Sequence, residues 1–436
     1  MTYKYYAQHL RTILFREIDN IIKEPELCVF RPGCDFTRKR KLSLQTMFHM
    51  IIGIGGGSLS KELYGWSKFS SNTATTSAFV QQRGKIKPEA MEILFHRFVK
   101  ATQSQMKFQG YRLLAVDGSD LRLPANVNDS FSSIQNTENG KNYNLAHLDA
   151  LYDLRSKTYI DASIQSKKGM SEHQAFVSMV DRSDIAGKVI IIADRGYESY
   201  NNMAHCQEKG WNFIIRAKES YGIISKLRLP AANTFDKKII LTFTRRQTKE
   251  TKRLLQDQPE RYRWIQPHSV FDYIQPKEST MYDLHFRVVR FKIPGGGYET
   301  VYTNLSAEDV SPEMLKQLYH QRWGIETSFK ELKYGVGLAS IHSKKKEFML
   351  QEVFARLILY NFASFLMYHA EICRQKNCRP NFTVGLYICR EYFKKNVSAD
   401  TILEILKKFI FSIRPGRKYP RYVNILSAVS FQYRIP

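Results

Sequence analysis

The chain has 436 residues, long enough for a large core and more than one module. Lys and Arg number 66 against 41 Asp and Glu, a formal net charge of +25 spread along the chain, so the expected partner is a polyanion. The longest apolar tract, "LILYNFASFLMY" at 357–368, holds Asn361 and Ser364 and is too short to span a bilayer, and the cysteines at 28, 34, 206, 373, 378 and 389 form no CxxC pair, which excludes a membrane span, a disulfide framework and a zinc finger.

Residues 1–105 read as short helices with basic joints, "TRKRKLS" at 37–43 and "QQRGKIKPEA" at 81–90. Between them "GIGGGSLSKE" lacks the GK[ST] ending of a phosphate loop and reads as a turn joining two helices. Short helices joined by glycine turns and flanked by bases suit a DNA-binding region, with Arg38, Lys39, Arg40 and Lys41 as candidate phosphate contacts. The opening residues mix charges and apolar residues at helical spacing without a signal pattern, so a cytoplasmic protein is expected.

Over 106–216 the period changes. "YRLLAVDGSD" reads as a buried strand ending in an acidic turn, and "AHLDALYDLRSKTYIDASIQ" as two alternating strands around a turn near Arg155 and Ser156. Ser171 and Gln174 form a capping box before a helix. "KVIIIADRGY" is a second buried strand with an acidic end, followed by the helix "ESYNNMAHCQEKG" and the strand "WNFIIRA". That order is a mixed α/β sheet. Residues 217–305 break the rhythm with "KKIILTFTRR", "LHFRVVRFKI" and "YETVYTNL", which read as a β-rich insertion.

The region 306–370 opens with "SPEMLKQLYHQRWGIETSFKELKYGVG" at 311–337, read as one helix with Ser311 as N-cap, Pro312 in the first turn and Gly335 at the end. At about 100° per residue Tyr319, Arg322, Glu326 and Lys333 fall within roughly 60° of one another, and Trp323 lies beside them. Glu331 lies roughly 140° from Glu326 and is expected on solvated surface. Gly324, in a helix interior, costs about 1 kcal/mol against Ala and counts against a purely structural helix. Residues 371–436 return to helical patterns and end in a basic tail containing Arg414, Arg417, Lys418 and Arg421.

Asp117 and Asp194 each follow an apolar strand run directly, where functional side chains gather in open α/β sheets. With Glu326 they offer three hard oxygen donors, the set that suits Mg²⁺ with room for water and phosphate oxygens. Two such ions about 3.5–4 Å apart serve phosphodiester chemistry, one activating the attacking oxygen and the other the leaving oxygen. The neighbouring bases then have a purpose in meeting DNA phosphates that three acids would repel.

At these residues the sequence resembles the DDE transposases of bacterial insertion sequences, specifically the insertion sequence four group. Its signature of Tyr, two residues, Arg, three residues, Glu, six residues and Lys is met by Tyr319, Arg322, Glu326 and Lys333 without a spacing departure. "VDGSDLRLP" around Asp117 and "ADRGYES" around Asp194 are similar to the family's first two acidic motifs. The resemblance implies a ribonuclease-H-like catalytic core with a β-rich insertion between the second and third acids, flanked by helical N- and C-terminal regions. It implies Asp117, Asp194 and Glu326 as ligands of two Mg²⁺ ions, with Mn²⁺ expected to substitute, and Tyr319, Arg322 and Lys333 as phosphate contacts. Trp323 is placed to stack on a flipped base. The implied activity is cut-and-paste transposition through a hairpin. The implied partners are terminal inverted repeats, target DNA and a second protomer, in a bacterial cytoplasm at the nucleoid. A nuclease of the same fold without joining, or a non-catalytic DNA-binding regulator, are the alternatives. His147 and His320 read as ordinary polar contacts.

Overall fold

A computed structural model of the protein describes residues 2–103, 106–135, 142–219, 221–276, 278–370 and 378–412; the basic tail with Arg414, Arg417, Lys418 and Arg421 lies outside these described residues. The chain begins with helices α1 (Tyr3–Ile22), α2 (Pro25–Cys28), α3 (Leu44–Gly53), α4 (Leu59–Trp66), α5 (Thr76–Arg83) and α6 (Glu89–Ala101). Thr2, Ser43, Ser58 and Thr75 each accept a backbone N–H of the following turn, which defines where four of these helices start. Along α1 the buried residues Ala7, Leu10, Leu14, Ile18 and Ile21 recur at three- and four-residue steps, one stripe turned to the core. Each fully buried Leu or Ile there contributes about 1.5–3 kcal/mol.

Strands β1 (Arg112–Leu123), β2 (Ser133–Ile134), β3 (Tyr143–Asp153) and β4 (Thr158–Ser166) follow, then α7 (Glu172–Arg182), β5 (Val189–Ala193), α8 (Tyr200–Glu208) and β6 (Asn212–Arg216). The next segment adds β7 (Phe235–Thr244), α9 (Lys249–Asp257), β8 (Tyr262–Trp264), β9 (Tyr282–Lys292) and β10 (Tyr298–Thr303). One ten-stranded sheet takes the order β2-β3-β1-β5-β6-β10-β9-β7-β8, with β4 on β3. The three strands β1, β5 and β6 are parallel, whereas β3 and β10 flank them antiparallel. The segment 217–305, read as an insertion, therefore extends the main sheet: β10 pairs with β6, and β9 and β7 follow.

Period-two alternation divides the core. Ala115, Leu121, Leu148, Ala150 and Tyr152 face one helical layer, while Leu114, Val116, Leu151, Ile191 and Ala193 face α7 and α8. The first layer contains α10 (Pro312–His320), α11 (Trp323–Lys330) and α12 (Lys346–His369), and α13 (Phe382–Phe393) and α14 (Ala399–Lys408) complete the chain's helices among the described residues. Residues of α1, α3 and α6 share one apolar cluster with α12, α13 and α14, so the helices from the two ends of the chain pack together.

Helix α12 carries the apolar tract and is buried almost all round. Its Asn361 solves a backbone problem. The β3–β4 pairing skips a residue after Leu151, and Asn361 accepts from Tyr159 N at 2.8 Å and donates to Tyr159 O at 2.7 Å. No helix among the described residues is long and apolar enough to cross a membrane.

Candidate active site

Strand β1 does not end in a turn at Asp117. It continues to Leu123 because β3 pairs with it along the whole length, Asp117 opposite Ala150 and Leu123 opposite Asn144. The parallel partner β5 is shorter. Its register with β1 ends at Ala115 opposite Ile192, so two places further on Asp117 stands level with Asp194, just past β5. Adjacent strands are about 4.8 Å apart. Both carboxylates thus gather at the C-terminal edge of the parallel strands. Asp194 Oδ1 accepts from Gly196 N at 2.7 Å, which turns the chain sharply after β5 and fixes that carboxylate.

The segment expected as one helix is divided. Ser311 caps α10 through Met314 N and Pro312 occupies its first position, but α10 closes at His320. From 321 to 325 the backbone bonds are tightened to i→i−3, with Gln321 N to Leu318 O at 3.0 Å and Arg322 N to Tyr319 O at 3.0 Å, before α11 resumes. After Lys330 the spiral widens into a π turn over Glu331–Gly335. Gly324 fits the close approach of α11 to the sheet, since a Cβ there would lie 2.9 Å from Leu154 Cδ2. Ser328 Oγ and Tyr159 OH, 2.9 Å apart, tie α11 to β4.

Glu326, in the first turn of α11, is brought to the Asp pair with Arg322 between the two elements. Arg322 Nη2 donates to Glu326 Oε1 at 2.7 Å, and its Nη1 lies 3.8 Å from Asp117 Oδ2. Burial first, then the charges of Asp194 and Glu326, push Asp117 up to about 7, against the opposing pull of Gly118 N–H and Arg322. Three hard carboxylates brought to one edge of the sheet are a donor set that fits divalent cations. Their mutual repulsion is what a cation would relieve.

The remaining signature residues occupy distinct surroundings. Tyr319 is buried in the apolar cluster beneath the sheet, with Leu113, Ile190 and Ile192. Its hydroxyl and the Arg322 Nε are buried without a well-formed hydrogen bond among the described residues. Trp323 is 43% exposed, with the Arg322 guanidinium 5.3 Å from its ring. Lys333 is half-buried near Asp120 and Arg122. Glu331 departs from the expectation of solvated surface. It accepts from Tyr360 OH at 2.8 Å and burial raises its pKa, because the π turn swings it under α12. Arg38, Lys39, Arg40 and Lys41 stand exposed on the loop between α2 and α3, Lys41 bonded to Asn72. His320 is exposed.

The "GIGGGSLSKE" segment is a turn between α3 and α4, as its pattern suggests, and its glycines permit close backbone docking. Gly55 O accepts from Arg356 Nη2 at 2.8 Å, and Gly56 packs against Gly337 just beyond the π turn. The N-terminal helices are thereby anchored next to the element that carries Glu326.

His147 is no ordinary contact. It stands on the opposite face of the β1–β3 ribbon from Asp117, among Asp120, Asp149 and Glu172. Burial lowers its pKa, but the three carboxylates outweigh burial and hold it up at about 11. The signal available in the sequence was the two-residue spacing of His147 and Asp149 inside an apolar strand, which places both on one face.

A family model described as "Transposase DDE domain" matches residues 108–362, a span that contains Asp117, Asp194 and Glu326. A search of curated proteins returns no match. Among solved structures the chain is similar to the "Cryo-EM structure of piggyBac transposase synaptic complex with hairpin DNA (SNHP)", at 10% identity over 91% of this chain and 81% of that one, with a TM-score of 0.48.

Proposed function

The chain belongs to the transposase DDE domain family, and from that premise we propose that it cuts and rejoins DNA at the ends of a bacterial insertion sequence of the insertion sequence four group. The observation that carries the reading is that Asp117 stands level with Asp194 on adjacent parallel strands while Arg322 links Asp117 to Glu326 on the helix. The strand order β4-β3-β1-β5-β6, three antiparallel strands and then two parallel ones, supports a ribonuclease-H-like core at the centre of the larger sheet.

Asp117, Asp194 and Glu326 would hold the Mg²⁺ ions, which when bound supply Lewis-acid activation of attacking and leaving oxygens at phosphorus. Arg322 balances Asp117 and Glu326, and its remaining charge would favour a phosphate brought to the acids. Tyr319, buried beside it, sets the guanidinium plane, its ring 5.8 Å away. Trp323 offers an exposed face on which an unstacked base can rest. Lys333 and the exposed bases at 38–41 bring positive charge to the backbone of the bound duplex.

In the reaction we infer, water attacks a phosphodiester at the element end and the bond to the 3′ oxygen breaks, freeing a 3′-hydroxyl. That hydroxyl attacks the opposite strand to form a hairpin, water reopens the hairpin, and the same hydroxyl attacks target DNA. Each step forms one P–O bond and breaks one. Two protomers would hold the two ends.

The test incubates the protein with Mg²⁺, a labelled duplex from the DNA flanking its coding region, and a target plasmid. Nicked, hairpin and joined products are expected, all lost in Asp117→Ala. Cleavage without joining would replace the transposase reading with a nuclease, and products unchanged in Asp117→Ala would refute the assignment of the acids.

A further inference from the structure

We propose that His147, Asp149 and Glu172 form a separate divalent-cation site, suited to Zn²⁺ or Mn²⁺, across β1 from the Asp117 and Asp194 pair. One ligand atom from each of the three, an imidazole nitrogen and two carboxylate oxygens, lies within 4.8 Å of the others. His147 and Asp149 come from β3, and Glu172 from the first position of α7.

The surrounding groups aim these atoms inward. His147 Nδ1 is 2.6 Å from Asp120 Oδ1, which also accepts from Lys167 Nζ at 2.8 Å, so Nε2 points at Asp149 and Glu172. Gln165 Nε2 donates to Asp149 Oδ2 at 2.7 Å and leaves Oδ1 turned to the cluster. A carboxylate behind the histidine and an amide behind the acid are the outer partners that metal ligands ordinarily carry.

A second observation points to an occupant. Asp149 Oδ1 and His147 Nε2, 3.5 Å apart, are buried without a well-formed hydrogen bond among the described residues, and outside the three ligands so is the hydroxyl of Tyr197, which is 1% exposed. Burial first, then the charges of Asp149 and Glu172 ahead of those of Asp117 and Asp194, raise the Tyr197 hydroxyl. Buried polar atoms of this kind call for a partner. Gly118 provides the room, since a Cβ there would lie 2.4 Å from His147 Nε2 and 2.8 Å from Glu172 Oε1.

The donor set decides the metal. An imidazole with two carboxylates suits a borderline cation, whereas Mg²⁺ prefers oxygen ligands in a near-ideal octahedron. A cation here would tie α7 to β3 directly behind the catalytic pair. Glu172 also lies close to Gly196: its Oε2 is 3.7 Å from the Cβ position of Gly196, which is itself 2.9 Å from Asp194 Oδ1.

The test uses full-length protein stripped with chelator, in an Asp117→Asn/Asp194→Asn/Glu326→Gln background that removes the other cation ligands. Zn²⁺ retained after gel filtration is measured by elemental analysis, and Co²⁺ binding by visible absorption. One Zn²⁺ per chain is expected. Adding Glu172→Gln should weaken binding about 100-fold and Asp120→Asn about 10-fold to 100-fold, with far-UV circular dichroism confirming that each variant is folded. No Zn²⁺ on the folded background protein, or binding indifferent to Glu172→Gln, would overturn the proposal and show that a proton on His147 alone holds the three acids together.

Discussion

Replacing Asp117 with Asn should stabilise the cation-free protein at alkaline pH and do nothing at acid pH. The folded chain raises this carboxyl from an ordinary 3.8 to about 7, through burial and the nearby Asp194 and Glu326. Because the folded pKa is the higher one, the stability that Asp117 contributes is full below about pH 4 and is lost as pH rises through about 7. Three units at about 1.4 kcal/mol each give a penalty of about 4 kcal/mol once the group is ionised. The amide of the variant carries no charge and escapes it. In urea unfolding of chelator-treated protein, Asp117→Asn should therefore match the wild type at pH 4 and exceed it by about 2–4 kcal/mol at pH 8.5. Adding Mg²⁺ at pH 8.5 should stabilise the wild type and narrow the gap. A difference between the two proteins that stays constant from pH 4 to pH 8.5, or a wild type that is the more stable at pH 8.5, would refute the burial of Asp117 beside Asp194 and Glu326.

The two glutamates of the signature segment should separate cleanly in a cleavage assay: Glu326→Gln should reduce the rate at least about 1000-fold, whereas Glu331→Gln, which keeps its bond to Tyr360, should stay within about threefold. Gly118→Ala should destabilise the fold by about 1–3 kcal/mol in thermal unfolding, because its Cβ would collide with His147 and Glu172. Exchanging Arg38, Lys39, Arg40 and Lys41 together for Ala should weaken binding to any duplex and reduce the slope of log affinity against log salt by up to about 4, read by fluorescence anisotropy. An unchanged slope would place that loop away from the DNA.

The parts of this fold legible beforehand are those set by local periodicity. The runs "LLAV" and "VIIIA" are apolar on both sheet faces, so strands ending near Asp117 and Asp194 could be expected, and the α/β order followed. What escaped depends on partners distant in the chain. The strand β1 outlasts Asp117 because β3 continues beside it, and pairing length is not written in either strand alone. The helix carrying Glu326 reads as continuous because its cap at Ser311, its stop at Gly335 and the side-chain spacing between them fit one helix, Gly324 alone counting against it. Its tightening at 321–325 and its π turn arise where Tyr319 enters the apolar cluster beneath the sheet and Gly324 meets Leu154, and these shift Glu331 from water to Tyr360. Asn361 interrupts an apolar helix for a reason visible only when the irregular β3–β4 pairing is known. The cluster around His147 draws on two strands, a loop and a helix, so no single motif announces it.

The central claim is that Asp194, with Asp117 and Glu326, binds the divalent cations that drive strand cleavage. Cleavage of an element-end duplex by Asp194→Cys, compared in Mg²⁺ and in Mn²⁺ or Cd²⁺, tests it most directly, because a thiolate disfavours Mg²⁺ and accepts softer ions. The account predicts no cleavage in Mg²⁺ and recovery in Mn²⁺ or Cd²⁺. Cleavage by Asp194→Cys in Mg²⁺ at the wild-type rate would contradict it.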